Sequence, residues 1–156
     1  MHLLQKKIPY ILFLILLFPF RSESCFAQNV VARNRICGKW ENEAKTLRIQ
    51  ISTQGNDFIA KIIWFSDTEG KPMNYWKDKR NPNPKLRNRT ILGMSILRDL
   101  KYNDKKGTWE DGIVYDSRHG KEWNASANIN KKGQLKVRGY WHFKWIGKSM
   151  IFNRLK

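Results

Sequence analysis

Two side chains able to exchange a proton stand three positions apart in Asp116-Ser117-Arg118-His119-Gly120, with the Tyr115 hydroxyl beside them. General acid–base chemistry needs such groups within hydrogen-bond reach of one another and of a substrate. Asp, Ser, His and Gly together are also the composition of an ordinary turn, in which Asp binds its own backbone. His142 has no His, Cys or carboxylate at metal-ligand spacing. Cys37 precedes an apolar strand pattern without a base partner, which suits packing. The residues supply no catalytic set, no metal site and no cofactor site, and the chain reads as a non-enzyme.

Binding chemistry is better represented. Trp64, Trp109, Tyr115, Asp116, Trp123, Arg138 and Trp141 are the candidate ligand-binding residues. In this reading the indoles and the phenol supply apolar surface, while Tyr115, Asp116 and Arg138 orient a ligand. An arginine inside a barrel would clamp a carboxylate or phosphate in bidentate fashion. Strict alternation, however, points Arg138 outward with Lys136, where an ion pair is its ordinary role.

A second candidate is the segment from Ser66 to Thr90, punctuated by Pro72, Pro82 and Pro84. Lys71 to Arg89 carries seven basic residues and one acidic. Trp76, Lys79, Arg80, Arg87 and Arg89 would place an aromatic ring among cations, suited to an anionic lipid or polysaccharide surface. The alternative is a solvated loop. Asn81-Pro82-Asn83-Pro84 favours a defined shape over random disorder.

The elements that must position these groups are strands. Trp123, Ala125, Ala127 and Ile129 alternate with polar residues, as do Leu135, Val137, Gly139 and Trp141, and Asn130-Lys131-Lys132-Gly133 joins the two runs. Leu47, Ile49 and Ile51 alternate likewise, and Gln54-Gly55-Asn56-Asp57 turns into the apolar run Phe58 to Phe65. Further strands are expected at Gly38 to Trp40, Ile91 to Leu97, Trp109 to Asp116 and Ser149 to Leu155. No run of helical period reaches the length of an ordinary globular helix. About eight consecutive strands predict an all-β, single antiparallel barrel or sandwich. The small residues Ala125, Ala127 and Gly139 leave volume inside it, to be filled by neighbouring rings or by one small apolar ligand.

The chain opens with Lys6 and Lys7, an apolar run from Ile8 to Phe20 and the small-residue triplet Cys25-Phe26-Ala27. This is the order of a cleavable signal peptide over residues 1–27, leaving one domain over 28–156 in the periplasm, the outer envelope or outside the cell. The run is too short for an anchor helix, and no aliphatic residue just ahead of Cys25 marks a lipoprotein box. Cleavage would leave Cys37 as the lone thiol, so no internal disulfide forms. Losing Lys6, Lys7, Arg21 and Glu23 takes the formal charge from +17 to about +15. Such charge attracts polyanions, and export makes anionic envelope components the available ones rather than nucleic acid. A monomer is expected.

Lys77 to Arg89, Gly93, Trp109, Gly112 to Asp116, Gly120-Lys121, Leu135 to Tyr140 and Ile146 to Ser149, in this order and spacing, resemble the bacterial domain-of-unknown-function family 2147. The resemblance runs from about Gly38 to Arg154. It implies an exported, lipocalin-like (calycin-type) β-barrel and no catalytic residues. Ser117, Trp123 and Phe152 depart from the residues common in that family and keep shape or apolarity. In lipocalin-type barrels a Gly-x-Trp on the first strand closes one end beneath an arginine of the last strand. Gly38, Trp40 and Arg154 match this pattern, and that contact would be structural. The expected role is small apolar or amphipathic ligand binding, with non-catalytic contact to an anionic envelope surface as the alternative.

Overall fold

The computed structural model describes residues 30–67 and 69–156; the expected signal peptide lies outside the described residues. Eight antiparallel strands follow one another around a closed barrel: β1 (Gly38–Asn42), β2 (Leu47–Gln54), β3 (Asp57–Phe65), β4 (Ser95–Asn103), β5 (Thr108–Asp116), β6 (Lys121–Ile129), β7 (Leu135–Tyr140) and β8 (Gly147–Arg154). Each strand pairs with the next, and β8 returns to β1. The expected all-β, eight-stranded lipocalin-like architecture is therefore the observed one.

Alternation decides what lies inside. Register places Ile51 opposite Ala60, Trp109 opposite Ala127, Ala125 opposite Gly139 and Leu135 opposite Phe152. Paired residues of an antiparallel ladder share a face, so the small Ala125–Gly139 pair and the large Leu135–Phe152 pair both point into the interior. Trp40, Ile49, Ile51, Phe58, Leu97, Leu100, Trp109 and Leu135 form one buried cluster with Ala60, Ala125 and Ala127. Each fully buried aliphatic or aromatic side chain of this kind contributes roughly 1.5–3 kcal/mol. In this half of the barrel the volume left by the two β6 alanines is taken up by protein, with the Phe58 ring edge-on to Trp109.

One end is shut. The Trp40 indole N–H donates to the Ile36 carbonyl at 2.8 Å, and the Trp109 N–H donates to the Arg33 carbonyl at 3.1 Å. Arg154 lies over the Trp40 ring at 4.1 Å from its centroid and donates to the carbonyls of Cys37 and Arg35. Gly38, at φ +134°, runs so close beneath Arg154 that a side chain there would collide with the guanidinium.

Two strand boundaries differ from the sequence pattern. β4 begins at Ser95, not Ile91, because Gly93 at φ 80° turns the chain before it enters the sheet. It continues to Asn103 through Asp99, whose φ of 59° breaks the alternation that would have advertised it. β7 ends at Tyr140, so Trp141 leaves the sheet and does not face inward.

Candidate functional site

The opposite end gathers the long connections: 66–94, the β5–β6 turn and the segment 141–146 between β7 and β8. Register sets Val137 opposite Met150 and Gly139 opposite Lys148, so Met150 and Lys148 project from the inner face. Val114 and Trp123, opposite each other, share it. Yet Met150 is 45% exposed, Lys148 is exposed, and Val114, Trp123 and Gly139 are only half-buried. The backbone explains this. β1 pairs with β8 only from Trp40–Arg154 to Asn42–Phe152, so among the described residues Gly147 to Met150 are laddered on one side alone. The barrel is thus packed at one end and opens at the other into an apolar mouth whose inner face carries Lys148, an ammonium without an ion pair among the described residues.

Residues 69–94 fold against this end as a strap. Asp78 is fully buried and accepts three hydrogen bonds, from Tyr115 Oη at 2.7 Å, Asn81 Nδ2 at 2.7 Å and Arg89 Nε at 2.9 Å, with Arg89 Nη2 in ion-pair contact at 2.8 Å. Burial first, then donation to the Asp78 carboxylate, pushes the Tyr115 phenol up to about 12, so it stays protonated as a donor. Asn81, also buried, accepts from Asn83 N on its Oδ1 and from Arg87 Nε on its carbonyl. The strap is clamped to the β5–β6 turn by Arg80 Nη1 on the Arg118 carbonyl. Gly120, at φ 65°, lets the Arg80 carbonyl approach where any Cβ would overlap it. Below the strap, Ile62, Met94 and Tyr115 make a second buried cluster, with Leu47, Phe65, Ile91 and Ile96 packed on it.

The residues expected to bind a ligand divide accordingly. Trp123 lines the mouth. Trp109 lies in the packed half, away from it. Tyr115 pairs with Glu122, out of phase with Val114–Trp123, and its hydroxyl is engaged by Asp78; it holds the strap and does not line the interior. Asp116 accepts from Arg118 N and His119 Nδ1, closing a solvent-exposed turn, and does not enter the barrel. Trp64 pairs with Arg48, whose guanidinium covers its ring at 4.7 Å while bonding Glu41, so this indole is on the outer wall. Arg138 is no ligand clamp: it faces outward, and its guanidinium bonds the Lys144 and Trp145 carbonyls and Ser149 Oγ.

In the basic loop Arg80, Arg87 and Arg89 are tied to protein oxygens and Trp76 is half-buried, so these side chains help to hold the fold while Arg80 and Arg87 stay exposed to solvent. Lys79 remains exposed there. Among the described residues no three His, Cys, Asp or Glu side chains come together as a metal site would need. An open depression of about 540 Å³ lined by Arg33, Asn56, Asp57 and Lys101 lies outside the barrel near its shut end, apart from the mouth.

Sequence reasoning missed Met150 and Lys148, because the short β1 that exposes them leaves no mark in their own neighbourhood. It also missed the segment 141–146. There Trp141, Phe143, Trp145 and Ile146 are all exposed, with Trp141 edge-on to Trp123 at 5.6 Å. Trp141-His142-Phe143-Lys144-Trp145 carries on the two-residue alternation of β7, which conceals that the chain leaves the sheet after Tyr140.

Comparison with known proteins bears on the whole barrel. The family model described as "Uncharacterized protein conserved in bacteria (DUF2147)" matches residues 38–154. A solved structure described as "Protein HP1028 from the human pathogen Helicobacter pylori belongs to the lipocalin family" is 30% identical. The similarity covers 77% of this chain and 82% of that one, with a TM-score of 0.64. No curated protein matches.

Proposed function

This chain belongs to the bacterial DUF2147 family, with a lipocalin-like barrel, and from that premise we propose that it binds a small apolar or amphipathic molecule at the open end. One observation carries the reading: Val114, Trp123, Gly139 and Met150 belong by register to the inner face and still reach water. Apolar surface of this kind, concave and edged by a few polar groups, is what small-ligand sites are made of. Lys148 on the same face suits a ligand with an anionic or polar head. The protein acts as a binder and not as an enzyme, and the leader-like residues 1–27 support export to the envelope or beyond.

Native mass spectrometry of the protein as isolated from its host tests this. A copurifying small molecule is expected, and Met150→Trp, which fills the mouth, should abolish both that adduct and binding of anilinonaphthalene sulfonate. An empty barrel that ignores the dye, or a dye affinity unchanged in Met150→Trp, would refute the proposal.

A further inference from the structure

Of the large apolar residues that the described chain exposes, Trp141, Phe143, Trp145, Ile146 and Met150 fall within one run of ten positions. Trp145 is 76% exposed and Phe143 59%. Isolated exposed apolar residues are ordinary, but a contiguous patch marks a surface that meets something. The patch is also built. Trp141 N donates to the Ile146 carbonyl at 3.3 Å and Ile146 N to the Phe143 carbonyl at 3.0 Å, closing a tight knuckle. Arg138 holds the knuckle against the outer wall by the Lys144 and Trp145 carbonyls, and Lys144 Nζ reaches Glu110 Oε2 at 2.5 Å. Held so, Phe143 and Trp145 stack at 5.9 Å between ring centroids, 18° from parallel.

From this we infer that the β7–β8 knuckle docks the protein on the surface of an anionic lipid bilayer. Charge selects that occupant. The segment 141–150 holds no acidic residue, exposed Lys148 stands beside the knuckle, and the whole chain carries a formal +17. Lys148 is exposed and makes no ion pair among the described residues, so its ammonium can face phosphate headgroups, while the Arg138 guanidinium is engaged by the knuckle carbonyls and Ser149 Oγ. Indoles with one polar and one apolar end settle at the headgroup level, and nearby cations add attraction to an anionic leaflet. A rigid knuckle loses little freedom on docking.

The docking stands on its own. It also adds meaning to the mouth, since Trp141 rests on Trp123 and a bilayer seated on the knuckle lies beside the open end. An amphipathic ligand could then pass between membrane and barrel without crossing water, a consequence that rests on the binding reading above.

The test uses the exported protein, its N-terminus sequenced to establish that residues 1–27 are gone, with vesicles of phosphatidylcholine alone or mixed with phosphatidylglycerol. Cosedimentation with the mixed vesicles is expected, together with quenching of tryptophan fluorescence by brominated acyl chains. Phe143→Ser with Trp145→Ser should weaken vesicle binding by about tenfold or more, whereas Lys79→Gln with Lys85→Gln on the strap should change it less than about twofold. Both measurements on the unaltered protein stand even if the double serine variant folds poorly. Binding without quenching, equal binding by the knuckle variant, or no vesicle binding with a knuckle-dependent dimer in sedimentation would each overturn the inference. Dye binding in the mouth is read separately, so loss of one property does not imply loss of the other.

Discussion

The Tyr115 hydroxyl meets the buried carboxylate of Asp78 at 2.7 Å, joining β5 to the strap across 37 positions of chain. Tyr115→Phe removes that donor and leaves Asp78 Oδ1 without its partner. Stability should fall by about 1–3 kcal/mol, measured by denaturant unfolding. Hydrogen exchange should rise at residues 77–90 while β6 and β7 keep their protection.

The same bond sets an alkaline limit. Because the folded Tyr115 phenol is raised from 10 to about 12, its contribution is fully present below pH 10 and declines as pH climbs through about 12. The fall in unfolding free energy over that interval should be shallower in Tyr115→Phe than in the unaltered protein. Parallel curves for the two proteins would contradict the linkage.

Gly120 is required by its neighbour. A methyl there would overlap the Arg80 carbonyl, and the residue sits at φ 65°. Gly120→Ala should cost about 1–3 kcal/mol and free the strap from the β5–β6 turn, seen as faster exchange at Arg80 and Arg118. Gly133→Ala, at φ 77° but facing open space, should cost less.

At the shut end, Arg154→Ala loses the contact over Trp40 and the bonds to the Cys37 and Arg35 carbonyls. Thermal unfolding should register a loss of about 1–2 kcal/mol. Arg154→Lys should restore only part of it, since an ammonium cannot cover the ring and bridge two carbonyls as a planar fork does.

Arg138→Ala should leave the barrel standing but release the knuckle. Chymotrypsin should then cut after Phe143 or Trp145 faster than in the unaltered protein, with little change in the unfolding midpoint.

The sequence pattern made most of the barrel legible for a physical reason: where one face is dry and the other wet, alternation is enforced, as in Trp123 to Ile129 and Leu135 to Gly139. It was blind where the backbone departs from the two-residue period. Asp99 at φ 59° concealed the second half of β4. The site was less legible. Asp78 organises the strap, yet in sequence it is one acid among seven bases, and nothing local says that Tyr115, Asn81 and Arg89 converge on it. Its being the lone counter-charge of that stretch was the only hint. Tyr115, Trp64 and Arg138 are expected from sequence to bind a ligand, but their partners direct them to structural duties. Met150 and Lys148 depend on where a strand more than a hundred positions earlier stops, information no local window holds.

That stop at Asn42 leaves the outer edge of Gly147 to Met150 unstitched, while Phe152 to Arg154 remain sewn to β1. The cylinder therefore has a seam partway down its side: it can part from the rim and must halt at Phe152. Breathing of that flap would widen the entrance for a bulky guest and leave the base, with Trp40 and Arg154, undisturbed.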